Sequence, residues 1–344
     1  MASVEAKKTM KAMVLENAAP AESHPMKLRE HPLPELHEHE VLVRVRLCGV
    51  CRTDLHTVEG DIRPPHLPVI PGHQVVGVVE RCGPQVKEIR VGDRLGVAWL
   101  RWTCGQCEFC RAGRENLCAK SRYTGFDADG GYAEYVAVDE RYAYQIPAEL
   151  DDATAAPLLC AGIIGYRAFK RSGVCGGQRL GLYGFGSSAH ITLQVACHLG
   201  CEVFVWSRGE AHRTLARELG ARWCGEPGER PPKALHGSII FAPVGTVVPQ
   251  ALRDLESGGT VVIAGIHLTD VPSLNYEEHL FREKVLTSVT ANTREDGREL
   301  LGIASRFSIR VHTSRHALED ANRVLVELKE GRIDGTALLD VGRT

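Results

Sequence analysis

The chain has 344 residues, which predicts about two domains at roughly 150 residues each and leaves ample length for a sizeable core. Hydrophobic residues make up 44% and charged residues 24%, which excludes a disordered chain, a fibrous one and a small disulfide-stapled module. Lys and Arg number 41 against 43 Asp and Glu, so a formal net charge of -2 gives no bulk attraction for nucleic acid or an anionic membrane.

Residues 1–9 carry lysines with no apolar run behind them, so the stretch reads as an N-terminal extension outside the fold and not as a secretory leader. No run reaches the ~18 apolar residues of a membrane span, and a cytoplasmic protein is expected. Up to about residue 150 the chain reads as mostly β: apolar or alternating runs occur at 41–46 and 74–79, separated by Gly/Pro turns such as Pro71-Gly72 and Gly92-Asp93. Two short motifs border these runs, Gly49-Val50-Cys51-Arg52-Thr53-Asp54-Leu55-His56 and Pro71-Gly72-His73-Gln74.

Twelve cysteines are many for such a chain, and their spacing argues against a disulfide framework. Four of them, Cys104, Cys107, Cys110 and Cys118, form C-x2-C-x2-C-x7-C. Thiolates two residues apart on a tight loop can face one ion, and a fourth closes a tetrahedral shell. Zinc suits thiolate softness, and an Fe–S cluster is the competing occupant. A closed shell predicts a stabilised lobe, not chemistry.

Beyond residue 151 the texture changes. Apolar runs at 179–183, 202–206, 238–241, 260–264 and 285–289 alternate with helix-period segments such as 187–199 and 210–219, the signature of βαβ units and a parallel sheet. Cys160 heads this half in Leu158-Leu159-Cys160-Ala161-Gly162. Gly184-x-Gly186-x-x-Ala189 then follows a strand and opens a helix, which makes it the dinucleotide fingerprint with Ala in its last position. Gly184 permits the tight turn, Gly186 lets the backbone approach a pyrophosphate, and Phe185, Ser187 and Ser188 complete the turn at the helix N-terminus. At the end of the next strand stands Ser207-Arg208, where an NAD-preferring protein shows an acid for the ribose hydroxyls. No carboxylate repels a 2′-phosphate there, and Arg208, helped by Arg213, is available to pair with it, so NADP is expected over NAD. Gly265 and Ile266, just past the run at 260–264, are taken as further cofactor contacts. A helix over 316–329 and an apolar run over 337–341 end the pattern.

Taken in order, the two short motifs, the four-cysteine lobe, Leu-Cys-Ala-Gly and the glycine-rich turn closely resemble the zinc-dependent alcohol dehydrogenases of the medium-chain dehydrogenase/reductase superfamily. The resemblance runs from Met10 onward. It implies an α/β fold: a GroES-like β-rich catalytic domain over 10–155 and 292–344, and a Rossmann doubly wound parallel-sheet domain over 156–291. It implies a catalytic zinc on Cys51, His73 and Cys160 with an open fourth position, and a second, structural zinc on Cys104, Cys107, Cys110 and Cys118. Cys48 is left to the core. Asp54 matches the carboxylate that orients the histidine ligand.

The implied reaction passes hydride between a primary or aromatic alcohol, or its aldehyde, and a nicotinamide. Zinc acidifies the alcohol, and Thr53 and His56 relay its proton to water. A polyol, sugar or amino-alcohol dehydrogenase of the same superfamily is the alternative, and a homodimer or homotetramer is expected. Two departures stand out. Gln74 replaces the family's Glu, and Thr336 stands where its Arg partner is expected, so both halves of one ion pair are absent together and the site reads as altered but intact. Trp99, Leu100 and Val58 fall in the substrate-pocket region of the family.

Overall fold

Residues 8–342 are described by the computed structural model, so most of the extension expected over 1–9 lies outside the described residues. Thr9 already opens the first strand, β1 (Thr9–Leu15), which pairs antiparallel with β2 (Met26–Pro32). There follow β3 (Glu40–Gly49), β4 (Gln74–Cys82), β5 (Arg94–Val97), β6 (Leu100–Trp102), β7 (Arg122–Tyr123), β8 (Tyr135–Asp139) and β9 (Ala143–Gln145). The chain then makes β10 (Arg179–Tyr183), β11 (Glu202–Trp206), β12 (Trp223–Gly225), β13 (Leu235–Ile240), β14 (Leu255–Ile263) and β15 (Val285–Ser288), and returns through β16 (Thr313–Ala317) and β17 (Thr336–Asp340). Two units result: Met1–Cys160 with Thr293–Leu301 and His312–Thr344, and Ala161–Asn292 with Gly302–Val311.

The first unit is built on a seven-stranded sheet, β16-β17-β3-β4-β5-β9, with β8 also pairing β3. Val41, Val43 and Val45 of β3 point inward while Arg44 and Arg46 face out, the alternation that buries one face of a strand. These valines join Val75 and Val79 of β4 and Leu339 of β17 in one core.

The second unit is a six-stranded, all-parallel sheet in the order β12-β11-β10-β13-β14-β15. Its inner strands β10 and β11 are buried almost throughout, as expected where helices cover both faces of such a sheet. Strand order reverses between β10 and β13, and ligands of doubly wound sheets bind at the carboxyl ends of the strands at such a switch. The fingerprint turn follows β10 at that point.

Two expectations change at the C-terminal end. The helix expected over 316–329 starts later, at Ala321, and ends at Lys329. His316 and Ala317 belong to β16, because parallel pairing with Leu339 and Asp340 satisfies their backbone groups. Residues 302–311, expected with the catalytic domain, pack in the second unit. There Gln194 bonds both the N–H and the carbonyl of Arg310, at 2.8 and 2.9 Å, and Phe307 stacks on His198 with centroids 4.2 Å apart. Among the described residues no helix is long and apolar enough to cross a membrane.

Candidate active site

The first motif folds into a helix start. Cys51 is the N-cap of helix Arg52–Glu59; its Sγ accepts from Thr53 N–H at 3.3 Å, and Asp54 Oδ2 accepts from Cys51 N–H at 2.9 Å. This reciprocal capping fixes the thiol and the carboxylate together. The antiparallel register sets Gly49 of β3 opposite Gln74 of β4, which brings His73 beside Cys51. Cys160 arrives from a π-helical turn, Leu158–Gly162, of the kind that interrupts α-helices at functional sites.

His73 Nε2 lies 3.3 Å from both Cys51 Sγ and Cys160 Sγ. The three donor atoms all lie within 4.8 Å of one another. Around a tetrahedral zinc, adjacent N and S ligands sit about 3.5 Å apart, so the set fits such an ion with one position open. His73 Nδ1 donates to Asp54 Oδ1 at 2.9 Å, with both side chains essentially inaccessible to water, at 1% and 2% exposure. That bond directs Nε2 at the ion.

Electrostatics agree with a cation site. A hydrogen bond from Cys160 holds the Cys51 thiol well below its ordinary range, against burial and with help from His73. Sharing that proton, followed by burial, pushes Cys160 well up. Burial works to lower the His73 pKa, but Asp54 and Cys51 outweigh it and raise it well above the ordinary value. Metal binding at such a set requires deprotonated thiolates and a neutral imidazole, so a divalent cation would displace protons from it.

Thr53 sits in the first turn beside Cys51, partly accessible, and His56 lies further along the same helix with Nδ1 2.7 Å from Asp61 Oδ2. Trp99 meets His73 edge-on, centroids 4.9 Å apart at 71°, and is backed by Tyr123, stacked at 4.9 Å, and by Phe126 at 5.7 Å. Sequence reasoning missed Tyr123 and Phe126. Their signal was two aromatics in the four residues after the basic stretch that follows the lobe, Tyr123 to Phe126. Val58 and Leu100, expected near substrate, instead lie in the core. Cys48 is also core, as expected. Gln74 is buried beside Gly49 with its Oε1 lacking a hydrogen-bond partner, and Thr336 is buried at the start of β17. Neutral groups here leave no unpaired charge in the core.

The second cysteine set closes fully. Sulfur–sulfur distances are 3.9 Å for Cys104–Cys110, 3.5 Å for Cys107–Cys110 and 3.6 Å for Cys104–Cys118. A zinc tetrathiolate has edges of about 3.8 Å, so these sulfurs are spaced as a shell for one such ion and too closely for an Fe–S cluster. Backbone amides of Gln106 and Cys107 lower the Cys104 thiol to about 6. The Cys110 amide lowers Cys107, but burial and the neighbouring sulfurs outweigh it and raise that thiol to about 11.

In the second unit, Gly184 has φ +95°, and its N–H donates to the Trp206 carbonyl at 2.9 Å, tying the fingerprint turn to the end of β11. A Cβ at Gly184 would come within 2.8 Å of Ala242 N, whereas one at Gly186 would meet nothing within 4 Å. Gly186 is the N-cap of helix Ser187–His198 and no side chain caps that end, so the turn offers the amide-lined, open approach a pyrophosphate needs. Phe185 is buried, and Ser188 lies in the first turn of the helix with Ser187.

Past β11, Ser207 N–H bonds the Gly225 carbonyl, and Arg208 stands exposed. Arg213 departs from expectation. Its guanidinium donates to the carbonyls of Ser207 and Arg208 at 2.7 and 3.1 Å and pairs with Glu210 and Glu226, so it braces the turn from below. Gly265 and an exposed Ile266 follow β14, beyond the end of that central strand.

Known proteins carry the same organisation. The family model for the alcohol dehydrogenase GroES-like domain matches residues 37–148, and that for a zinc-binding dehydrogenase matches residues 189–306. A Mycobacterium tuberculosis protein named probable alcohol dehydrogenase AdhA is 49% identical over 336 residues, covering 96% of this chain and 97% of its own length. Cinnamyl alcohol dehydrogenase from Sorghum bicolor superposes with a TM-score of 0.88 at 26% identity, over 98% of this chain and 99% of that one. A thermostable alcohol dehydrogenase from Pyrobaculum aerophilum, solved with cobalt and zinc bound, gives a TM-score of 0.86 at 26% identity, over 97% of this chain and 100% of its own.

Proposed function

The chain belongs to the zinc-dependent alcohol dehydrogenases of the medium-chain dehydrogenase/reductase superfamily, and on that premise we propose how its own residues serve the interconversion of alcohol and aldehyde with a nicotinamide cofactor. The reading is carried by one observation, the convergence of Cys51 Sγ, His73 Nε2 and Cys160 Sγ with His73 held by Asp54. A zinc on these residues supplies Lewis acidity to the substrate oxygen. A dinucleotide held at the Gly184–Ala189 turn would supply the hydride acceptor in the oxidative direction, and the substrate hydroxyl gives up its proton to the protein. Thr53, which both donates and accepts, takes that proton and passes it towards His56. His56 releases it to water on the side where Asp61 holds its imidazole.

Trp99 gives the substrate a flat apolar wall, stiffened by Tyr123 and Phe126, which suits an aromatic or other apolar primary alcohol. Cys104, Cys107, Cys110 and Cys118 hold a second zinc that stabilises their lobe. Arg208, exposed beside Ser207 with no acid in the ribose position, selects NADP over NAD, while Arg213 keeps the turn in shape. A cytoplasmic homodimer or homotetramer is the fitting assembly: β15 ends the second unit's sheet as an edge strand with Val285 exposed, and Tyr276 and Phe281 before it are also exposed.

The test is kcat/KM with NADP and NAD side by side, on one aromatic and one short aliphatic alcohol, with zinc counted in the same preparation. Preference for NADP and for the aromatic alcohol is expected. Arg208→Ala should then weaken NADP use about tenfold or more, for a lost charged hydrogen bond, and leave NAD nearly untouched. Equal losses on both cofactors would remove the phosphate role.

A further inference from the structure

Helix Arg52–Glu59 begins at the metal ligand Cys51 and ends beside an acid that the proposed relay leaves without a stated task. Thr53 and His56 stand three residues apart on it, which makes them neighbours on its surface. Thr57 is the other hydroxyl of this helix. It is fully buried, and its Oγ1 donates to the Thr53 carbonyl at 2.9 Å, so its hydrogen is already committed. The His56 side chain is 22% exposed, and its Nδ1 lies 2.7 Å from Asp61 Oδ2. His56 Nε2 has no hydrogen-bond partner among the described residues.

The way the helix ends puts Asp61 there. Gly60, at φ +84°, is the left-handed residue that stops the helix. The N–H groups of Gly60 and Ile62 both donate to the His56 carbonyl, at 3.1 and 3.3 Å, so the chain folds back over the last turn with Asp61 between them. Neighbouring chain anchors this turn. Ala19 N–H donates to the Val58 carbonyl at 3.0 Å, and Glu59 Oε1 accepts from Ala21 N–H at 3.0 Å. A Cβ on Gly60 would lie 3.1 Å from Ala18 Cβ. With Cys51 capping its start, the helix is held at both ends.

An ionised carboxylate only accepts hydrogen bonds, so its contact with Nδ1 puts the ring hydrogen on that nitrogen and leaves the lone pair on Nε2. The geometry points to Asp61 as a positioning residue of the proton exit, which fixes His56 in the tautomer whose Nε2 can take a proton from Thr53; this rests on the reading that Thr53 and His56 relay the substrate proton. The Thr53 hydroxyl gives its hydrogen to Nε2 as it receives one from the substrate. The imidazolium so formed faces the Asp61 carboxylate, and Nε2 then hands its hydrogen to water. The Nδ1–H bond to Asp61 stays intact throughout. Asp61 is 59% exposed, so the pair stands where water can collect the proton. An Asn in its place can donate through its amide to Nδ1, which moves the hydrogen to Nε2 and blocks uptake.

The experiment follows a single turnover of benzyl alcohol by full-length, zinc-loaded enzyme saturated with the better of its two dinucleotides. Asp61→Asn should slow it about tenfold or more, within what general acid–base catalysis supplies, and leave KM within about twofold. In a His56→Gln background, itself slow, the same substitution should change the rate less than about twofold, because Asp61 acts through His56. A comparable tenfold loss in that background would overturn the proposal and make Asp61 a general structural support. A wild-type rate in Asp61→Asn beside a slow His56→Gln would overturn the role of Asp61 and leave the relay standing. A wild-type rate in His56→Gln would fail the relay itself, and the role of Asp61 with it. A second readout needs no turnover. Diethyl pyrocarbonate attacks an unprotonated ring nitrogen, and its rate at His56, read by peptide mass in substrate-free enzyme, should fall about threefold or more in Asp61→Asn. An equal or faster rate, as from a ring merely released, would overturn the proposal. This labelling decides the pairing if the enzyme turns over no alcohol. Should Asp61→Asn fail to fold, Asp61→Ala takes its place in the rate comparisons, with the same outcomes for and against.

Discussion

The two cysteine sets in the first unit are assembled by opposite means. Cys104 to Cys118 close a shell within one short loop, with Cys104, Cys107 and Cys110 partly open to solvent, Cys118 buried, and Gly105 and Gly113 in left-handed turns that let the loop fold on itself. Cys51, His73 and Cys160 come from a helix cap, a strand entrance and a π-turn, and meet with His73 and Asp54 sealed from water. A closed local shell can only stabilise. An open one assembled from distant segments presents a coordination position to substrate, and it depends on the surrounding fold being right. The two regions also touch through sequence: β7, just beyond the lobe, delivers Tyr123 to the back of Trp99 and so to His73.

Substitutions at the open site should show this contrast most strongly. Cys51→Ser or His73→Ala should lower turnover about a thousandfold or more, as expected for losing several kcal/mol of Lewis-acid stabilisation, while the lobe keeps its zinc. Wild-type-like activity in either variant would end the distinction between the sets. Asp54→Asn tests whether the sealed support matters. It should weaken zinc at the open site by about 10–100-fold in chelator competition and leave the lobe's metal unaffected, and equal release from both sets would refute the orienting role. The smallest effect on chemistry should come from the lobe itself. Cys107→Ser should lose the lobe's zinc and lower Tm on the order of 5–10 °C, with kcat per remaining catalytic zinc reduced less than about tenfold. A fall in kcat matching that of Cys51→Ser would show that the lobe takes part in catalysis.

Short-range features were readable from the residues alone. The C-x2-C-x2-C-x7-C spacing and the Gly184–Ala189 turn name their own geometry, because their atoms meet within one loop or one strand-to-helix corner. Periodicity likewise located five of the six strands of the parallel sheet and missed β12, whose three residues at the sheet's edge are too short to show a pattern. Elsewhere local pattern was a poor guide. His316 and Ala317 fit a helical period, yet pairing with β17 draws them into a strand. Arg213 looked like a phosphate partner because it is a nearby cation. Its reach to the carbonyls of Ser207 and Arg208 depends on how the helix Glu210–Glu218 packs after β11.

The deepest division runs through the open metal site. Once the resemblance had named Cys51 and Asp54, their spacing kept them together, since a cap and its third following residue are neighbours in any helix start. Resemblance named His73 and Cys160, but no spacing within the chain brings residues 51, 73 and 160 to one point. Only the tertiary structure decided that, through the β3–β4 register and the turn at Leu158–Gly162. The physical reason is that strand register is a collective property. One residue of slip would turn every side chain of β4 to the other face, so the position of His73 is held by the burial of the whole strand and not by its own neighbours in sequence.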